Sequence, residues 1–346
     1  MSSPRNASLS GSGFRFYRWH DPITGEDTDV LSVTSIRKLC GEQYNLVNWQ
    51  LANLADVAMG QVKRTVIGPR GGVSEKRVTD EFPSEFSRLL AETDGAQGKM
   101  DSTRKWLMDQ ADRPRNIAAM RGTMVHNAIE SNVEWDRIER PYVESAFAQL
   151  SQRDRARASQ GVTDEDIFFV RNAMRQYWHM RATMPFLIIA REVQVWNLTH
   201  GYAGTFDALV WFLPDDYAAT PPMPGDVTVE MIDKIGGDLV LVDWKTSADV
   251  YTDQVVQAHA YMTAEFVGAD GVIDRRLTAL LRKSMQGGLI QIRPNGWHIY
   301  EFNYQPPVVR AFLGSVAFAR FLAANPKPGP LFSAHHRGEA PKETDE

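Results

Sequence analysis

The chain has 346 residues, and its 38 Lys and Arg against 43 Asp and Glu leave a net charge of −5 and a pI near 5.9. That balance excludes a protein that coats nucleic acid by bulk electrostatics, and the single cysteine, Cys40, excludes an internal disulfide, a cysteine zinc site and a four-cysteine iron–sulfur cluster. With 43% hydrophobic and 23% charged residues the composition is that of a globular protein of one large or two modest domains, in which any metal must be held by oxygen or histidine.

The opening residues 1–13 are polar and small and lack the apolar segment of a signal peptide. No run approaches the roughly 18 apolar residues of a membrane span, so a soluble, cytoplasmic protein with no membrane partner is expected. Residues 14–34 predict a hairpin, with DPITGED as the turn between two β-rich runs. Helices are expected from Ser35 onward and over 45–60. The stretch 67–76, IGPRGGVSEK, reads as a connecting loop whose glycines match no phosphate-loop spacing. Two or three helices are expected between Glu85 and Ser131, and more over 142–158 and 165–184.

Three strands follow, at 187–197, 202–212 and 239–245, with a Pro-, Gly- and Asp-rich insertion at about 213–238 between the last two. A helix is predicted from Thr252 to Phe266. The segments LTALLRK, GLIQIRP and WHIYEFN read as closing strands, and Pro307–Ala324 as a final helix. The tail from 325, rich in Pro and charge, is expected to be disordered. No internal repeat is present. This order predicts an α/β (α+β) fold with a central mixed sheet flanked by helices, divided into an N-terminal hairpin and helical arm (1–110), a core (111–325) and a tail (326–346).

The chemistry concentrates at four places. LVLVDWKTS, Leu239–Ser247, begins as an interior strand and ends in charge: by alternation Asp243 and Lys245 share a face with Leu241, while Trp244 points the other way. The helix around NIAAMRGTMVHNAIES puts Ile117, Met120, Met124, Val125 and Ala128 on one side and Gly122, His126 and Glu130 on the other. Asp207 stands among apolar neighbours in YAGTFDALVWF, after Ala203 and Gly204, which admit a close approach. In QAHAY, Gln257 and Tyr261 lie one helical turn apart. Taken singly, His126 reads as a surface or hydrogen-bonded histidine, Asp207 as a cap and Asp243–Lys245 as a surface pair. The basic clusters 153–158, 274–276 and 281–283 read either as local nucleic-acid patches or as solvated faces.

In this order, GTMVHNAIE, GTFD, DWKT and QAHAY resemble the marks of the PD-(D/E)XK nuclease superfamily, and within it the RecB-like exonucleases: G-x-x-x-H-x-x-x-E, G-x-x-D, D-x-K-T and Q-x-x-x-Y. The four matches span about 140 residues, and the hairpin with SVTSI and NLVNWQLANLA is also similar to the openings of exonucleases from phages of actinobacteria. Some such relatives carry an iron–sulfur cluster, which the single Cys40 does not allow here. The long insertion between Asp207 and Asp243 is a second departure, expected to loop out of the sheet.

The resemblance implies a restriction-endonuclease-like core and a Mg²⁺- or Mn²⁺-dependent exonuclease acting on DNA in phage recombination, replication or end processing, in the host cytoplasm. It implies Asp207 and Asp243 as central ligands, completed by His126 and the Trp244 carbonyl, with Lys245 acting on the attacking water and Gln257 and Tyr261 on the DNA. Two carboxylates about 4 Å apart would repel by ~4 kcal/mol at an effective dielectric of about 20, which a divalent cation relieves. Glu130 and Glu192 are further candidates for supporting or second-metal roles. A structure-specific or restriction-like endonuclease, and a DNA-binding or assembly module without catalysis, stay open as alternatives. A single-strand annealing protein is a further candidate partner, and the oligomeric state is open.

Overall fold

The computed structural model describes residues 7–9, 14–40, 61–67, 73–79, 97–150, 161–284 and 286–324. The helix predicted over 45–60, the basic cluster at 153–158 and the tail from 325 lie outside the described residues.

The chain starts with β1 (Ala7–Leu9), β2 (Arg15–His20) and β3 (Asp27–Ser32). The β2–β3 turn forms because Asp21 accepts the backbone N–H groups of Ile23 and Thr24, and Gly25 takes φ 73°, a left-handed conformation open to glycine. Helix α1 (Val33–Cys40) follows directly. Strands β4 (Gln61–Ile67) and β5 (Val73–Thr79) pair as a separate hairpin, so the described residues of the predicted connector, Ile67 and Val73–Lys76, belong to its two arms. One continuous helix, α2 (Gln97–Glu130), runs through Pro114 and crosses the predicted boundary at residue 110; residues 85–96 of the stretch expected to hold two or three helices lie outside the described residues. Then come α3 (Arg140–Gln149) and α4 (Asp164–Thr183), the latter opened by a capping box between Thr163 and Asp166.

β6 (Phe186–Asn197), β7 (Tyr202–Phe212) and β8 (Asp238–Lys245) occupy the predicted strands, with α5 (Val229–Ile235) inside the insertion. Helix α6 (Thr252–Met262) is shorter than predicted, because Phe266 opens β9 (Phe266–Ala269), which pairs with β10 (Val272–Asp274). LTALLRK is not a strand but most of helix α7 (Arg275–Lys283): Asp274 caps its N-terminus, and Leu280 and Leu281 are buried with Leu277 packed beside them at helical spacing. β11 (Gln286–Arg293), β12 (Gly296–Asn303) and α8 (Pro306–Ala323) close the described chain.

Ten of these strands form one mixed sheet in the order β1-β2-β3-β7-β6-β9-β10, with β8, β11 and β12 continuing from β7. β3–β7 and β8–β11 are parallel and the rest antiparallel. One apolar layer joins Leu209, Trp211, Leu239 and Leu241 to α1, α6, α7 and α8. The opposite layer joins Val210, Val240, Val242, Trp244, Ile290 and Ile292 to α2, α3 and α4. The architecture is therefore a central mixed sheet flanked by helices. α8 is long and apolar enough, by length and composition alone, to span a membrane, although Arg310 and Arg320 interrupt its apolar run. Val309, Phe312, Val316 and Ala319 pack into the first layer, while Phe318 and Phe321 on the same helix are exposed.

The insertion folds back onto the core. Val227 and Ile232 are buried, Trp211 Nε1 donates to Gly236 O at 2.9 Å, and a Cβ at Gly237 would lie 2.2 Å from Phe212 O. Two of the basic clusters serve this attachment: Arg276 donates to the carbonyls of Pro224 and Val227, and Lys283 pairs with Asp233. Arg282 donates to Glu265 O. Their charges are spent on carbonyls and a carboxylate within the fold.

Candidate active site

The site lies where β7 loses its neighbour. One edge of β7 pairs with β3 only at Tyr202 and Ala203 and with β8 only from Ala208 to Phe212, leaving Gly204–Asp207 facing a gap between the two strands. At the lower end of this gap Asp207 Oδ2 accepts the Trp244 backbone N–H at 2.7 Å, so the carboxylate takes over from the ladder where β8 departs. The capping role expected of a lone Asp is thus real, and it brings Asp207 to the charged end of β8. Asp207 and Asp243 are both buried, and Lys245 Nζ is paired with Asp243 Oδ2.

His126 reaches the same point from α2, with Nδ1 3.4 Å from Asp207 Oδ2 and no hydrogen bond of its own. α2 is held there by two contacts of its sequence neighbours. Arg121, itself buried, donates to Asp166 Oδ1 at 2.7 Å and lies over the Phe169 ring, tying α2 to the first turn of α4. Gly122 lets α2 press on the residue after the D-W-K, since a Cβ there would stand 2.9 Å from Thr246 Oγ1. The spacing of Gly122 and His126 therefore has a packing cause as well as a chemical one.

The charges divide unequally. Burial pushes both carboxylates up, but His126, Lys245 and the Trp244 N–H together bring Asp207 below its ordinary value. Asp243 stays raised, because Asp207 repels its charge and Lys245 only partly offsets burial. Burial disfavours the His126 cation, yet the Asp207 carboxylate outweighs it and raises the imidazole.

Glu192 belongs to the same cluster. The pairs Arg191↔Ala208 and Val193↔Phe206 put it opposite Asp207, in a left-handed conformation with φ 48° that is uncommon for a non-glycine residue in a strand. Its carboxyl is pushed up to about 7, first by burial and then by Asp207 and Glu130. Between about pH 4.5 and 7 the folded protein holds a proton that the unfolded chain has released, so this group's ionisation costs stability as pH rises. Glu192→Gln is therefore expected to raise the melting temperature of the metal-free protein at pH 8 and to leave it unchanged at pH 4. The gain at pH 8 is about 1 kcal/mol, discounted for residual solvent, as read by calorimetry.

Gln257 and Tyr261, which the sequence assigned to DNA contact, lie inside the fold. Both are buried, Gln257 Nε2 donates to the Tyr261 hydroxyl at 2.7 Å, and Gln257 Oε1 accepts from Arg37 at 2.6 Å. Tyr261 fills the upper part of the β7 gap: its ring packs against Phe206, and a Cβ on Gly204 would lie 2.6 Å from Tyr261 Cε1. The pair braces α6 and α1 against the strand that carries Asp207. Gly204→Ala should cost roughly 1–3 kcal/mol by overpacking, measurable as a lower denaturant midpoint with unchanged slope. The signal for this role was present in the sequence, in that Gly204 and Tyr261 are a small and a large residue fitted to each other, but only the tertiary packing pairs them.

Among the described residues, no three His, Cys, Asp or Glu side chains form a ready metal cage. The donor chemistry nevertheless fits a hard divalent cation: two buried carboxylates, an imidazole nitrogen without a hydrogen bond, and a lysine ammonium standing as counter-charge to Asp243.

No protein-family model matches the sequence, and no curated protein matches it. Among solved structures, the crystal structure of SSO0001 aligns over 61% of this chain and 75% of its own, at 13% identity and a TM-score of 0.23. That similarity is too low to bear on fold or function.

Proposed function

We propose that the chain is a Mg²⁺- or Mn²⁺-dependent deoxyribonuclease with a PD-(D/E)XK core, working as an exonuclease. The observation that carries this reading is the meeting of His126, Asp207, Asp243 and Lys245, from one helix and two strands, at the point where β7 and β8 part. Asp207, Asp243, His126 and the Trp244 carbonyl would hold the metal. A bound divalent cation supplies the charge that neutralises the phosphate and acidifies the attacking water. The low Asp207 keeps a fixed negative charge at the site, and His126 lies against it. Lys245, released from Asp243 once that carboxylate has another partner, presents its Nζ to the attacking water and to the charge building on phosphorus. Trp244 itself turns away into the apolar layer beside Tyr177, with ring centroids 5.8 Å apart, anchoring the strand end on which Asp243 and Lys245 stand.

Supercoiled plasmid, the same plasmid linearised and a single-stranded circle, incubated side by side with Mg²⁺ or Mn²⁺, test the reading. Loss of the linear form with survival of both circles is the expected result. Rapid loss of a circle would make the protein an endonuclease. Survival of all three, with binding retained, would make it a DNA-binding module without catalysis.

A further inference from the structure

The parallel pairing of β8 with β11 and the antiparallel pairing of β11 with β12 place Lys245, Gln291 and His298 directly opposite one another, in one row across three strands. All three lie on the sheet face opposite Trp244, Ile290, Ile292, Trp297 and Ile299, which pack into the α2–α4 layer. Two residues further along β11 and β12 the sheet ends in the Arg293↔Gly296 pair. Here an open cleft of about 270 Å³ is lined by Ala248, Gln291, Arg293, Asn295, Gly296 and His298. Its floor is built: Gln291, buried, donates from Nε2 to the carbonyls of Ser247 and Ala248 at 2.8 and 2.9 Å, fixing the loop that follows Lys245 as one wall.

Arg293 is unlike the other arginines of this region. Arg276 and Arg282 spend their guanidinium groups on backbone carbonyls, whereas Arg293 Nε is buried without a hydrogen-bond partner and Arg293 has no carboxylate in salt-bridge range among the described residues. Such a group, in a polar cleft, calls for an anion. Arg293 stands one strand (about 4.8 Å) over and two residues (about 6.6 Å) on from Lys245, roughly 8 Å away, a distance that about two nucleotides at about 3.4 Å each cover. His298 and Tyr300 are exposed beside the cleft, with rings 6.4 Å apart, and offer faces on which bases can stack.

We propose that this cleft is a nucleic-acid subsite, in which Arg293 holds a backbone phosphate about two nucleotides from the bond acted on at Lys245 and His298 and Tyr300 take the adjoining bases. The subsite rests on the reading of the Lys245 site as a nuclease and adds the path its DNA strand follows. The test is fluorescence anisotropy of a labelled single-stranded oligonucleotide with Ca²⁺, titrated at several salt concentrations against the full chain and three variants. Arg293→Ala should weaken binding about 10-fold and make the log–log salt slope shallower by roughly 0.7, the share of one phosphate on a single strand. Arg293→Lys should keep the slope. Arg282→Ala, which touches only a carbonyl, should change neither.

Unchanged affinity and slope in Arg293→Ala overturn the subsite whether or not the protein cleaves DNA. Weakening by Arg293→Ala and Arg293→Lys alike, with the slope kept, also overturns it, since the loss would then be structural. If the wild-type chain binds the oligonucleotide with the predicted Arg293 dependence but cleaves nothing in Mg²⁺ or Mn²⁺, the nuclease reading fails and the subsite stands.

Discussion

Lys245→Ala is expected to reduce DNA hydrolysis by roughly 10²–10⁴-fold, the range of a positioned acid–base group, while binding of DNA in the presence of metal survives. Lys245 stands at the end of β8, paired with Asp243, and its neighbour Trp244, buried in the apolar layer, locks that strand end in place. Removing the ammonium leaves the fold of the strand intact, because Trp244 and its N–H bond to Asp207 are untouched. It also leaves Asp243 without its counter-charge, which strengthens rather than weakens the demand for a cation. The decisive measurement is single-turnover cleavage beside a binding isotherm: near-normal turnover would remove Lys245 from the reaction.

The second large effect separates two roles of one carboxylate. Asp207 caps the Trp244 N–H, and an asparagine can do that equally well through its side-chain carbonyl. If the cap were the whole role, Asp207→Asn would leave Mn²⁺ affinity unchanged. As a ligand that supplies negative charge, Asp207→Asn should weaken Mn²⁺ at least about 10-fold, with the fold retained by circular dichroism and calorimetry as the titration readout. Asp243→Asn should weaken it similarly, because it too takes a negative charge from the buried site. His126→Ala should have the smaller effect, since an imidazole carries no negative charge to the site. Wild-type affinity in both asparagine variants would place any metal elsewhere.

Much of the scaffold was legible in the chain itself. The short apolar run that opens LVLVDWK and the β-rich runs at 187–197 and 202–212 located three central strands, because a short apolar run with β-branched residues is a local property of sequence that suits an interior strand. The presence of Asp207, Asp243, Lys245 and His126 was equally plain, since polar groups embedded in apolar runs need a reason. Short apolar segments were less secure: LTALLRK fits a strand or a helix equally well by hydrophobicity, and the Asp274 cap and the packing of Leu280 and Leu281 decided for helix.

What only the tertiary structure decided is how these residues meet. Tyr202 and Phe206 face the α1–α6 layer, but beyond Asp207 the faces change phase: Ala208 and Val210 turn to the α2–α4 layer and Leu209 and Trp211 to the first. The left-handed Glu192 stands opposite this change, and no alternation rule anticipates it. Gln257 and Tyr261 show the same limit. Their spacing marks one helix face but not what covers it, and Gly204, 57 residues from Tyr261 in the chain, supplies the space that the Tyr261 ring fills. Residue type and period are set within a few positions of chain. Burial, charge pairing and the direction a polar side chain takes depend on partners from distant strands, and those are specified only when the sheet closes.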